Sequence, residues 1–200
     1  MTRTRPEAVF EPGLVGHPLP QYRIEIRDEQ DRPVQQGAVG EVVIGAATEG
    51  PMANVYTPML GYWNKPDETA RALRGGRYYS GDLGRLDGGG QLFIMGRAKE
   101  MVIRGGANVY PAEVERVLHD QPGVAAAAVV GVPDERLGER VVAFLQPAPG
   151  ADRDAEALTT ACKVRLARYK CPEEFVFVDS MPRNAMGKIL KRELSSAIQG

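Results

Sequence analysis

Cysteine and histidine are scarce in this chain, with two of each in 200 residues. Cys162 and Cys171 lie too far apart for a CxxC redox or zinc pattern. They read as two free thiols of a reducing compartment rather than as a disulfide or a catalytic pair. His17 and His119 are distant from each other and from both cysteines, so the sequence offers no metal site and no nucleophilic triad. Surplus charge is missing as well. The 25 basic and 26 acidic residues leave a net charge of −1, without the basic excess expected of a nucleic-acid partner. No long hydrophobic run is present either. The longest, Val124 to Val132, is alanine-rich and about half the ~20 residues that a transmembrane helix needs. The opening stretch Met1–Pro12 carries arginines with no apolar core behind them, which argues against a secretory leader. These absences point to a cytoplasmic protein with no transmembrane segment.

What remains is ordinary in bulk and uneven along the chain. A hydrophobic share of 43% and a charged share of 26% suit a globular protein of one large or two modest domains. The first half reads as strands and turns. Tyr22-Arg23-Ile24-Glu25-Ile26 alternates polar and apolar residues, and Gly40 to Gly45 is a second strand closed by glycine. Pro66 to Leu73 predicts a short helix with a proline start and early acids. Brief strands are expected at Gly84 to Leu86 and Gln91 to Met95, on either side of the turn Asp87-Gly88-Gly89-Gly90. Beyond about Gly96 the rhythm changes to alternating strands and helices. Strands are expected at Met101 to Ile103, Val124 to Val130, Val141 to Leu145 and Phe175 to Val178. Helices are expected from Pro111, with Val114, Val117 and Leu118 on one face, at Leu158 to Ala167, and at Lys191 to Ile198. A β-rich half followed by a small α+β half is the predicted architecture.

Four segments stand out from this background. They are Gly61-Tyr62-Trp63-Asn64-Lys65-Pro66, Tyr78-Tyr79-Ser80-Gly81-Asp82-Leu83-Gly84, the long run from Gly96 through Arg97, Lys99, Gly105 and Gly106 to Glu115, and Pro182-Arg183-Asn184-Ala185-Met186-Gly187-Lys188-Ile189-Leu190-Lys191. Singly, each has a commonplace reading. Gly81-Asp82 is turn chemistry, Gly105-Gly106 a tight turn, and Arg97 a solvated surface residue. Gly187-Lys188 invites a P-loop reading, but Pro182 replaces the first glycine and Ile189 the final hydroxyl residue, so that pattern fails.

Together and in this order, the four segments resemble the adenylate-forming superfamily, which includes acyl- and aryl-CoA synthetases, luciferases and nonribosomal adenylation domains. The resemblance runs from about Val15 to Leu194, and the run Gly105 to Glu115 is similar to the fatty- and aryl-acid CoA ligase branch. It implies an α+β fold: residues 1–98 as the β-rich C-terminal part of the large AMP-binding domain, and residues 99–200 as a small mobile α+β domain. It also implies an ATP-dependent acid–CoA ligase, in which a carboxylate attacks the α-phosphate of ATP and a thiol then displaces AMP. By resemblance, Asp82 accepts the ribose hydroxyls, as a carboxylate with several acceptor sites can, and Arg97 joins it. Lys188 reaches the reacting carboxylate and the α-phosphate, where positioning and charge stabilisation are the main tasks. Lys99 sits at the family's hinge. Gly105 and Gly106 lie on a loop beside the thiol channel.

The chain also departs from the family pattern. It has no Ser/Thr/Gly-rich phosphate loop and no Tyr-Gly-x-Thr-Glu motif. Most of the large domain, with the acid pocket, is therefore expected upstream of Met1, and the 200 residues alone are expected to be inactive. Arg77 stands where the family often has tryptophan, Ser80 replaces threonine, and Ala46 to Pro58 is longer than the usual link. The implied cofactors are ATP/AMP, CoA and Mg2+, the last held mainly by the missing half, and no residue here is assigned to a metal. The implied partners are a small carboxylic acid, CoA and a complementary N-terminal fragment. Two other readings stay open: a non-catalytic remnant or interaction module, and a piece of a carrier-protein-loading adenylation domain.

Overall fold

The structure is a computed structural model and describes residues 1–4 and 11–199, so part of the Met1–Pro12 stretch weighed above as a leader lies outside the described residues. The chain divides into two compact units, Met1–Lys99 and Glu100–Gly200.

The first unit is built on strands β1 (Thr2–Arg3), β2 (Leu14–Pro18), β3 (Tyr22–Arg27) and β4 (Gly40–Ala46), helix α1 (Pro66–Ala72), and strands β5 (Leu73–Arg74), β6 (Arg77–Leu86) and β7 (Leu92–Arg97). They form one sheet in the order β1-β2-β7-β6-β4-β3, with β5 added on β6. The strands alternate between faces as their period of two requires. Ile24 and Ile26 pair with Ile44 and Val42 and bury one face of the sheet together with Leu92. The other face carries charge. Glu25 lies 2.8 Å from Arg23 and 2.6 Å from Arg27, and Arg77 reaches it from β6 at 3.2 Å. Arg77 thus ties β6 to β3 across β4.

The second unit comprises β8 (Val102–Arg104), β9 (Ala107–Val109), α2 (Pro111–His119), β10 (Val124–Asp134), β11 (Gly138–Pro147), α3 (Ala155–Arg165), β12 (Glu174–Phe177) and α4 (Lys191–Gln199). Its sheet runs β10-β11-β8-β9, and β12 joins β11 in parallel. Burial on both faces explains the unbroken apolar runs of β10 and β11. Ala127, Val129, Val141, Ala143 and Leu145 pack with Val114, Val117 and Leu118 of α2 and Leu158 and Cys162 of α3. Ala126, Ala128, Val130, Val142 and Phe144 face the opposite way, toward Met181 and Leu194 of α4. The run from Val124 to Val132 is thus the core strand of a two-faced sheet. Among the described residues, no helix is long and apolar enough to cross a membrane.

Two local expectations need correction, and one short strand was not expected. Ser80-Gly81-Asp82 is not a turn between elements but lies within the ten-residue strand β6, whose two neighbours β4 and β7 hold it through register shifts. The short hairpin strand β9 has no sequence pattern of its own. Helix α3 starts three residues earlier than Leu158, because the Asp154 side chain caps it by accepting from the Ala157 N–H at 2.9 Å.

Candidate functional site

In the first unit, the Asp82 and Arg97 positions face each other across the β6–β7 ladder as direct Cα partners. Arg97 Nε lies 2.9 Å from Asp82 Oδ1. The guanidinium also donates through Nη1 to the Ser80 carbonyl at 3.0 Å. The strand is shaped around this pair. Gly81 takes φ +70°, and its N–H donates to Glu41 Oε1 at 3.0 Å. Ser80 Oγ donates to the Val42 carbonyl at 2.8 Å and accepts the Asp82 N–H at 3.1 Å. The hydroxyl kept at position 80 therefore holds both the neighbouring strand and the Asp82 backbone. The carboxylate remains about a third exposed, which leaves acceptor sites open to solvent. Tyr78 lies near the pair. The neighbouring Tyr62 phenol, burial and the Asp82 charge push the Tyr78 phenol up, while Arg97 pulls it down. The first of the four segments is thereby brought to the second, although Trp63 itself is exposed.

Lys99 is exposed, in a 3-10 turn over Ala98–Glu100 that follows the end of β7. The two compact units part directly after it.

In the second unit, Gly105 and Gly106 form the two-residue turn joining β8 to β9, with φ of +56° and +81°. Tight hairpins favour positive φ at both positions, and only glycine takes it without strain. A side chain at Gly106 would meet nothing within 4 Å, so conformation rather than crowding within this unit accounts for the glycine. Lys188 sits in a turn built by Asn184, whose Oδ1 accepts from the N–H groups of Met186 at 3.0 Å and Lys188 at 2.9 Å. Arg183 closes the turn by donating to the Gly187 carbonyl at 2.7 Å, with Gly187 at φ +80°. Lys188 is mostly exposed, its Nζ 3.9 Å from Glu100 Oε1. Asparagine close to glycine is a turn signal, but nothing read from the sequence marked Asn184 as the clasp of the Lys188 backbone.

Cysteine chemistry finds no support. Burial pushes the Cys162 thiol up to about 11, with Cys171 adding to it, and a protonated buried thiol is inert. Among the described residues, no three His, Cys, Asp or Glu side chains are grouped as a metal site would require.

A family profile described as the AMP-binding enzyme C-terminal domain matches residues 113–188. Fatty acid–[acyl-carrier-protein] ligase ScoC of Streptomyces coeruleorubidus is 42% identical over 200 residues, covering 98% of this chain and 37% of that protein. 2-Succinylbenzoate–CoA ligase of Geobacillus kaustophilus is 43% identical over 187 residues, covering 93% and 36%. Among solved structures, ATP-bound MatB from Rhodopseudomonas palustris matches with a TM-score of 0.81 at 34% identity, over 99% of this chain and 38% of that one. The chain thus spans a little over a third of the length of the relatives it matches.

Proposed function

Because this chain belongs to the adenylate-forming superfamily and matches the carboxy-terminal part of its acid–thiol ligases, we propose that it supplies the ribose contacts, hinge and catalytic lysine of an ATP-dependent carboxylic acid–CoA ligase. The overall reaction takes acid, ATP and CoA to acyl-CoA, AMP and pyrophosphate. Residues 1–98 act as the β-rich end of the large AMP-binding domain, and 99–200 as the small mobile domain. In the first half-reaction a substrate carboxylate oxygen bonds to the α-phosphorus, and the α–β bridging bond breaks to release pyrophosphate. In the second, the thiol sulfur bonds to the acyl carbon, the acyl–phosphate bond breaks, and AMP and the thiol proton leave.

The observation that carries this reading is the Asp82–Arg97 pair, 2.9 Å apart on adjacent strands. Asp82 accepts from the two ribose hydroxyls. Arg97 holds the carboxylate in place, being itself fixed by the Ser80 carbonyl. Lys188 brings its ammonium to the charge developing on the attacked phosphate, an effect that preorganised cations supply strongly. Lys99 absorbs the φ/ψ change that swaps Lys188 for the Gly105–Gly106 turn between half-reactions, as one or two hinge residues can. Mg2+ would come with the ATP phosphates and be held mainly by the preceding half of the enzyme. The two free thiols, Cys162 and Cys171, fit a reducing compartment, the cytoplasm.

The acceptor has a second reading. The carrier-protein ligase ScoC is as similar to this chain as the CoA ligases are, so a protein-bound phosphopantetheine is the alternative thiol. Two assays on a fusion of these residues to the preceding part of a relative test the proposal. Asp82→Ala is expected to raise the KM for ATP at least tenfold, the loss of roughly 1.4 kcal/mol or more of charge-assisted hydrogen bonding. An unchanged KM would remove the ribose role. Transfer to CoA but not to a carrier protein would decide the acceptor.

A further inference from the structure

A group of charges in the second unit surrounds the root of the Lys188 turn. Lys191 begins α4, and its side chain is largely buried, with Nζ 2.8 Å from Glu100 Oε2 and 2.8 Å from Glu115 Oε1. Glu115 Oε1 also accepts the Val129 N–H at 2.7 Å, which pins this α2 carboxylate to β10. Glu100 is the residue immediately after Lys99, and its second oxygen faces Lys188. The chain between Lys188 and Lys191 is short and fixed. Ile189 packs into the core beside Met181 and Leu194, and the Leu190 N–H donates to the Pro182 carbonyl at 2.8 Å. Burial by itself would lower the Lys191 pKa, but the Glu115 and Glu100 carboxylates outweigh it and raise it above 10.5, so the ammonium stays charged.

We propose that Lys191 is a positioning residue for the adenylation step: with Glu100 and Glu115 it clamps the root of the Lys188 turn to the first residue beyond the hinge. The inference rests on the reading of Lys188 and Lys99 given above. A lysine on a long stem is useful only if its root is placed accurately, since an ångström of misplacement costs on the order of a hundredfold in rate. When Lys188 turns from Glu100 to the reactants, Lys191 remains between the two carboxylates and keeps the root in place. Rotation at Lys99 then carries Lys188 as the tip of a rigid lever.

The first test needs only the 200-residue chain. Backbone 15N relaxation compares wild type, Lys191→Met and Lys191→Arg. In Lys191→Met the order parameters of Met186, Gly187, Lys188 and Glu100 are expected to fall together from the rigid range near ~0.85 to below ~0.6. Those of α3 are expected to stay unchanged, and Lys191→Arg to keep wild-type values. A turn as rigid in Lys191→Met as in wild type, a loosening spread evenly through the second unit, or an arginine variant as mobile as the methionine one would each overturn the clamp. The second test uses the active fusion. Lys191→Met is expected to slow acid-dependent pyrophosphate exchange by about tenfold to a hundredfold, while transfer from supplied acyl-adenylate stays within about twofold. Equal losses in both steps would mark Lys191 as merely structural. Lys188→Ala runs beside it. Exchange that survives Lys188→Ala removes the reading on which the lever rests. Exchange lost in Lys188→Ala but intact in Lys191→Met removes the lever alone.

Discussion

Glu25 is the ionic hub of the first unit, and its chemistry can be tested without any substrate. Burial would raise its pKa, but the Arg27 hydrogen bond and the charges of Arg23, Arg27 and Arg77 more than reverse that, leaving it below its ordinary 4.5. A carboxyl depressed in the folded state stabilises the protein above its unfolded pKa and loses that contribution as the pH falls through the folded value. Glu25→Gln is therefore expected to cost about 2 kcal/mol near pH ~7, in the range for hydrogen bonds to charged groups. The gap to wild type is expected to narrow progressively as the pH is lowered below 4.5 and through the depressed folded value. Urea unfolding across an acidic pH series checks this, and a gap that stays constant would deny Glu25 its role. Asp82 and Arg97 show how far the sequence could be read at this scale. Their motif companions identified the residues, but neither propensity nor spacing announced that they are register partners 2.9 Å apart. The Lys191 cluster was hidden more deeply. Its members are separated by 76 residues or more from Lys191, so only folding brings them together.

At the scale of elements, periodicity located the strands and helices that bury one face against a neighbour. Helix α2 was visible because Pro111 starts it and Val114, Val117 and Leu118 share a face, and β3 because its residues alternate. The elements that escaped are those whose conformation is imposed from outside. The ladders of β4 and β7 override the turn preference of Gly81, and the three-residue strand β9 exists only because the Gly105–Gly106 turn folds it back on β8. That turn makes a prediction of its own. Because Gly106 adopts φ +81° in open space, Gly106→Val is expected to cost about 1–2 kcal/mol through backbone strain. Gly106→Asn, which tolerates left-handed backbone, is expected to cost only a few tenths of a kcal/mol. Thermal melts distinguish the two, and equal costs would point to crowding instead. In the active fusion, Gly106→Asn carries a side chain at unchanged fold. Loss of thioester formation with adenylation intact would support the closeness of this turn to the thiol arm, and full activity would count against it.

For the molecule as a whole, the account depends on two units able to move independently about Lys99. Limited proteolysis of the 200-residue chain is expected to cut first at Gly96 to Lys99 or in the Gly88–Gly90 turn, because exposed backbone outside a core is cleaved soonest. Initial cuts within Val124 to Leu145, the doubly covered strands of the second unit, would contradict the division. The relatives it matches are named for acids as different as a fatty acid and 2-succinylbenzoate. The two half-reactions measured separately, for Lys188→Ala and Lys99→Pro in the active fusion, put the central claim to its most direct test. Lys188→Ala is expected to slow pyrophosphate exchange on the order of a hundred- to a thousandfold, as loss of one charge-stabilising contact does, while thioester formation from supplied acyl-adenylate survives. Lys99→Pro fixes φ at the hinge and is expected to do the reverse, keeping exchange and losing transfer when it traps the adenylating orientation. Equal loss of both steps in Lys188→Ala would contradict domain alternation in this protein and leave Lys188 a structural residue.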